Sequence, residues 1–186
     1  KAFFAHPDIG GDDLGVRASW YASHAYSLAV IRDFGRAYEW LRVAHSLLPN
    51  DSWVLSLESD IHGMADHWND ALQSAERALE VDPGAPFAVH GLGLALINLG
   101  RVEESAARMS AEAESCQTYQ IVLDGCWHQC ALAETLGGEQ RRAALDRARQ
   151  LAGRLPALTP LTDREVLRSV RSRPSTPAPS PTRRGG

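Results

Sequence analysis

Ala37, Ala44 and Pro49 of "AYEWLRVAHSLLPND" return 34 positions later as Ala71, Ala78 and Pro83 of "ALQSAERALEVDPGAP". Phe34, Trp68 and Val102 keep the same interval through "RDFGRA", "DHWNDA" and "GRVEES", and Ser105 takes the small-residue place of Ala37 and Ala71. This register constrains the fold more than any other feature. A unit of about this length cannot bury its apolar face alone and must stack on a neighbour. Apolar residues within the units recur at helical intervals, as in Trp53, Leu57 and Ile61 or Leu72, Ala75 and Leu79, so each unit reads as a helix pair. The repeated small residues let the paired helices approach closely.

The spacing predicts pairs over 18–31 with 36–48, 52–64 with 69–81, 86–99 with 102–114, and 122–136 with 140–154. The fourth anchor, Ala143, lies 38 after Ser105, which predicts about four added residues around "ESCQTYQIV" and a short extra turn beside Tyr119. Residues 1–17 read as a leading loop, 18–154 as the repeat array, and 155–173 as a capping helix whose Leu161, Val166, Leu167 and Val170 cover the open end. The Pro- and Ser-rich stretch 174–186 is expected to stay extended or disordered. Because the chain starts at Lys1 rather than Met, an upstream region is also expected.

These residues resemble the tetratricopeptide repeat family over about 18–154. Tyr21, Leu55 and Trp127 match its bulky position early in helix A, and Ala25, Ser59, Gly93 and Ala131 its small one. Ser105 and Glu112 depart from the two alanines in the third unit, and the proline after it is absent. A narrower resemblance, to the tetratricopeptide-repeat protein thirty-eight family, is carried by "ERALEVDPGAPFAVH" and "WHQCALAETLGGEQRRAAL". The family resemblance implies an all-α, right-handed solenoid of about four helix pairs. Its concave wall of helix A side chains would hold an extended or helical peptide. Carried over by position, that groove comprises Tyr26 and Val30, then Trp53, Asp60 and Met64, then Phe87, His90 and Asn98, and finally His128 and Leu132. Val30 and Leu132 read equally well as core between repeats. The family's carboxylate clamp is missing, with Ala22 and Ser56 at its positions and Lys1 the only lysine. An apolar, aromatic groove with histidines is left, and if His90 donates to the ligand as a cation, affinity should rise as pH falls through roughly 6.5.

Net charge is −4, so the basic field of a nucleic-acid binder is absent. No apolar run reaches the length of a membrane span, and no signal peptide opens the chain. Cys116, Cys126 and Cys130 form an odd set without framework spacing; reduced thiols and a cytoplasmic setting are expected.

Three clusters invite a chemical reading. Cys126, His128 and Cys130 would supply a nucleophile or metal ligands, but on a helix Cys126 and Cys130 share a face that His128 does not, so buried small residues beside Trp127 are expected. "AHPDIGGDDLG" lacks both the alternating oxygens of a calcium loop and the Gly-Lys-Ser/Thr of a phosphate loop. His62 and His67, five apart, share no helical face and read as turn and surface residues. No catalytic residue, metal or cofactor is therefore expected. The reading is a protein-interaction scaffold with a protein or peptide partner, no nucleic acid and no membrane. The alternative is an accessory or regulatory region of a larger enzyme or transcriptional regulator.

Overall fold

In each of the first three units the chain ends its A helix with one residue in the left-handed region: Arg32 (φ 61°), Asp66 (φ 60°) and Gly100 (φ 76°), spaced 34 apart. The computed structural model describes residues 12–116 and 118–158. Among them lie α1 (Leu14–Val30), α2 (Phe34–Leu47), α3 (Ser52–Met64), α4 (Trp68–Val81), α5 (Pro86–Asn98), α6 (Val102–Ser115), α7 (Tyr119–Thr135), α8 (Gly138–Ala152) and the short α9 (Leu155–Leu158), with no strand. Each left-handed residue is the pivot of a Schellman motif. Asp33 N–H donates to Leu28 O, His67 N–H to His62 O and Arg101 N–H to Leu96 O, all at 2.9 Å. The residue before each donor closes the inner bond, to Ala29 O, Gly63 O and Ile97 O. Two otherwise orphaned carbonyls are satisfied at each turn.

The register is carried by whole elements. α2, α4 and α6 each span 14 residues and begin at 34, 68 and 102; α3 and α5 each span 13 and begin at 52 and 86. Local caps fix these starts. Asp33 Oδ1 accepts from Arg36 N, Asp51 Oδ1 from Val54 N at 2.9 Å, and Pro86 opens α5, where its missing donor costs nothing. Asp13 does the same for α1 by accepting from Gly15 N and Val16 N, so that helix starts at Leu14 rather than at 18.

Helices pair as α1–α2, α3–α4, α5–α6 and α7–α8, while α1, α3, α5 and α7 pack successively to form one wall. Ala37, Ala71 and Ser105 are all buried at the crossing of their pair. At the second crossing Ser59 on α3 donates to Ala71 O on α4 (2.8 Å). At the third, where Gly93 and Ser105 hold the same two places, the hydroxyl is on the other helix and Ser105 donates to Gly93 O (3.0 Å). One core joins α1 to α3 through Ala18, Ala25, Leu41 and Ile61; another runs from α4 to α8 through Ala71, Leu92, Met109, Val122 and Leu151.

The fourth unit corrects the expected register. α7 begins at Tyr119, 33 after Pro86, and spans 17 residues. Buried Ala88, Val89, Leu92, Gly93, Ala95 and Leu96 on α5 are matched by buried Ile121, Val122, Gly125, Cys126, His128 and Gln129 on α7, again 33 apart. The extra length therefore lies at the far end of α7, and no added turn precedes it. Trp127, matched to the bulky position early in helix A, is 52% exposed. Arg154 closes this end: its guanidinium donates to Ala113 O and Cys116 O at the last turn of α6. Of the expected capping helix only α9 is described, with Leu155 against the second core; Leu161, Val166, Leu167, Val170 and the stretch 174–186 lie outside the described residues.

Candidate functional site

The wall made by α1, α3, α5 and α7 encloses a cleft of about 710 Å³. Tyr26, Asp60, Met64, Phe87 and His90 all line it, from three successive A helices. They converge because the Schellman turns return each A helix to the same face at the same register. Sequence reasoning missed Trp68, Leu94 and Gln120, which also line the cleft. Leu94 follows His90 by one helical turn and was accessible to that argument; Gln120 was hidden by the misread fourth unit.

Trp53 stands beside the cleft, 37% exposed, with its ring edge-on to Phe87 at a 5.0 Å centroid separation. It belongs to the surface, not to the core between repeats. Asn98 and His128 are not brought to the cleft. Asn98 is exposed at the end of α5, its amide donating to Leu94 O of its own helix (2.8 Å).

His128 is 1% exposed and points into the α5–α6 crossing. The Ser105 hydroxyl has one proton, and it goes to Gly93 O, so His128 Nδ1 carries its own proton and donates to Ser105 Oγ at 2.7 Å. Burial pushes its pKa down to about 4, which keeps the ring neutral. The space exists because position 93 is glycine: a Cβ there would come within 2.7 Å of the ring's Nε2.

Asp60 and His90 carry the charge that bears on the cleft, with the buried Asp124 behind His90. Asp60, on α3, has no hydrogen-bond partner among the described residues, and burial raises its pKa to about 6 against a smaller opposing pull from His90. His90 Nδ1 lies 3.1 Å from Asp124 Oδ2, and Gln120 Nε2 donates to Asp124 Oδ1 at 3.0 Å. The bond to Asp124 raises the His90 pKa above its ordinary value, outweighing desolvation. His90 is thus held by α7 and is not a free cation offered to an anionic ligand. With His90 paired to the buried Asp124 behind it, Asp60 is the carboxylate left facing the cleft.

The thiol cluster does not assemble. Cys126 is 9% exposed in the second core, and burial raises its pKa, the reverse of what activates a nucleophile. His128 is committed to Ser105, and Cys130 is exposed. His62 and His67, by contrast, do come together. The left-handed Asp66 folds the chain back so that their rings lie 6.2 Å apart, with Tyr38 Oη 3.2 Å from His62 Nδ1 and 3.4 Å from His67 Nδ1. The helical-face argument failed because no helix runs through position 66.

No family model matches the chain, and no curated protein does. Among solved structures it is similar to the Sgt2 TPR domain from Aspergillus fumigatus, at 15% identity over 88% of this chain and 89% of that one, with a TM-score of 0.49. It is also similar to the structure described as MamA MSR-1 C2, at 16% identity over 76% and 78% of the two chains, with a TM-score of 0.54. Nothing in these comparisons supports the narrower resemblance to the protein thirty-eight family. No described helix is long and apolar enough to cross a membrane. The 34-residue geometry, with the fold-level likeness to the MamA structure, makes this a helical-repeat solenoid of stacked helix pairs.

Proposed function

We propose that the chain is a protein-interaction scaffold whose A-helix cleft takes a partner segment bearing an apolar or aromatic side chain next to a basic one. Its role is binding rather than catalysis. The observation that carries this is Asp60, a carboxylate without a hydrogen-bond partner among the described residues, in an otherwise apolar wall of Tyr26, Met64, Phe87 and Leu94. An unpaired, partly buried carboxylate is costly in the free protein. A ligand ammonium or guanidinium would relieve that cost and match that negative charge, while the aromatic walls suit its aliphatic stem. Trp53 and Phe87 at the rim provide the rigid apolar contact area on which binding energy usually concentrates.

Fluorescence anisotropy with labelled peptides, matched in apolar content and differing only in Lys, Ala or Glu at one position, tests this. The Lys peptide should bind most tightly, and Asp60→Asn should abolish that preference. Phe87→Ala or Trp53→Ala should weaken all three peptides by about tenfold or more. For the Lys peptide, affinity should fall below pH 6 as Asp60 takes a proton, with His90 charged and adding repulsion. Equal affinity for the Lys and Glu peptides at neutral pH would refute the proposal.

A further inference from the structure

The turn between α3 and α4 departs from its counterparts in a way that stacking does not explain. At the third position from the end of the A helix, the first and third units carry Leu28 and Leu96, both buried; the second carries His62. The residue closing the Schellman motif is Asp33 or Arg101 elsewhere and His67 here. Three residues further on stand Arg36 and Glu104, against Asp70 in this unit. Only in the second unit do all three places hold side chains able to ligate a metal through neutral nitrogen or carboxylate oxygen.

The turn also gathers them. One potential ligand atom from each of His62, His67 and Asp70 lies within 4.8 Å of the other two. The Schellman bond from His67 N to His62 O (2.9 Å) fixes the backbone between the histidines, and Asp70 follows on the first turn of α4. The Tyr38 hydroxyl, from α2, reaches both Nδ1 atoms at 3.2 and 3.4 Å, so the two nitrogens face a common point. Two imidazoles and one carboxylate are a donor set for zinc and its first-row neighbours, not for calcium or magnesium, which take oxygen cages. Tetrahedral zinc, with bonds of roughly 2.0–2.1 Å, sets ligands about 3.3 Å apart. The present spread is wider than that, and the exposure of His67 and Asp70 leaves their side chains room to close on an ion.

We infer that His62, His67 and Asp70 form a binding site for one divalent transition-metal ion of the zinc class, clipping the end of α3 to the start of α4. Three protein ligands leave a coordination position for water or for a group from a partner. The residues are separate from Asp60 and His90, so the site stands or falls independently of the peptide reading.

Tag-free protein titrated with Zn²⁺ alone by isothermal calorimetry should bind one equivalent, and Co²⁺ should give the visible absorption of a site with nitrogen and oxygen ligands. His67→Ala, His62→Ala and Asp70→Asn should each lower the affinity by at least about tenfold. His90→Ala, a histidine of the cleft, should leave it unchanged. Zn²⁺ should also raise the melting temperature of the wild type but not that of His67→Ala, whose exposed position makes a folding defect easy to separate by circular dichroism. The inference is overturned if the wild type binds no zinc, if binding survives in His67→Ala, or if His90→Ala reduces it as much.

Discussion

Gly125→Ala tests how closely α7 is seated, because the packing and helix-propensity effects have opposite signs. A Cβ at position 125 would lie 2.8 Å from Ala113 Cβ, 3.1 Å from Met109 O and 3.2 Å from Leu151 Cδ1. Carbon atoms are comfortable at about 3.5–4.0 Å, so α7 must lift from α6 by roughly 0.7 Å. Neither the Ala113 Cβ nor the Met109 carbonyl can rotate out of the way. Opening such a gap forfeits a quarter to a half of each dispersion contact along the seam, and overpacking of this kind costs about 1–3 kcal/mol. With a backbone carbonyl among the clashing atoms, a value near the upper end is expected. Against it stands the gain of about 1 kcal/mol that alanine brings over glycine inside a helix. The net loss is about 2 kcal/mol, a fall in melting temperature of roughly 4–8 °C for a chain of this size. Gly35, on α2, is the control: nothing lies within 4 Å of its added Cβ, so Gly35→Ala should leave stability unchanged or raise it by up to about 1 kcal/mol. Urea and thermal unfolding followed by circular dichroism measures both. If Gly125→Ala is stabilised alongside Gly35→Ala, α6 and α7 do not meet this closely and the placement of the fourth unit is wrong.

The two crossing hydroxyls should differ in cost. Ser105→Ala leaves the buried His128 Nδ1 without its partner while Gly93 O keeps its helical bond, for about 1–3 kcal/mol, whereas Ser59→Ala loses one hydroxyl bond and strands no buried group, for about 1 kcal/mol; equal losses in urea melts would contradict the protonation assigned to His128. Asp60 carries a pH signature. Its folded pKa of about 6 exceeds the ordinary aspartate value of 3.8, so the folded state holds the proton more tightly and stability falls as pH rises through that window. The penalty is absent below the lower value and complete above the upper one. Asp60→Asn should therefore be more stable than wild type by on the order of 1 kcal/mol at pH 7 and equal to it near pH 4; a difference independent of pH would place Asp60 in water.

The repeat was legible because stacking is a demand made of each unit in turn, and Ala37, Ala71 and Ser105 answer it at one interval. The same logic located Tyr26, Asp60, Met64, Phe87 and His90, whose positions follow from helix period and register alone. It failed where a residue's surroundings come from another unit. His128 looked like a groove histidine until Gly93 is seen to leave room for its ring. Trp127 was matched to the bulky helix A position without knowing where α7 begins. The pairing of His90 with Asp124 crosses from α5 to α7 and has no local pattern. His62 and His67 meet through a single left-handed residue, Asp66, and aspartate announces that conformation far less clearly than glycine does.

The His128 ring filling the hollow above Gly93 also sets where this array can be cut. At the second crossing the hydroxyl bond, from Ser59 to Ala71 O, is made within its own unit, and the third unit contributes only the close approach of Gly91, where an added Cβ would lie 2.8 Å from Ser59 Oγ. The third unit keeps part of its interior on loan from the fourth: remove α7, and Gly93 faces an open notch while Ser105 loses the group that donates to it. Shortening or extending the solenoid by whole repeats is thus a graft that takes at the earlier junctions and is rejected after α6, unless a side chain is first restored at position 93.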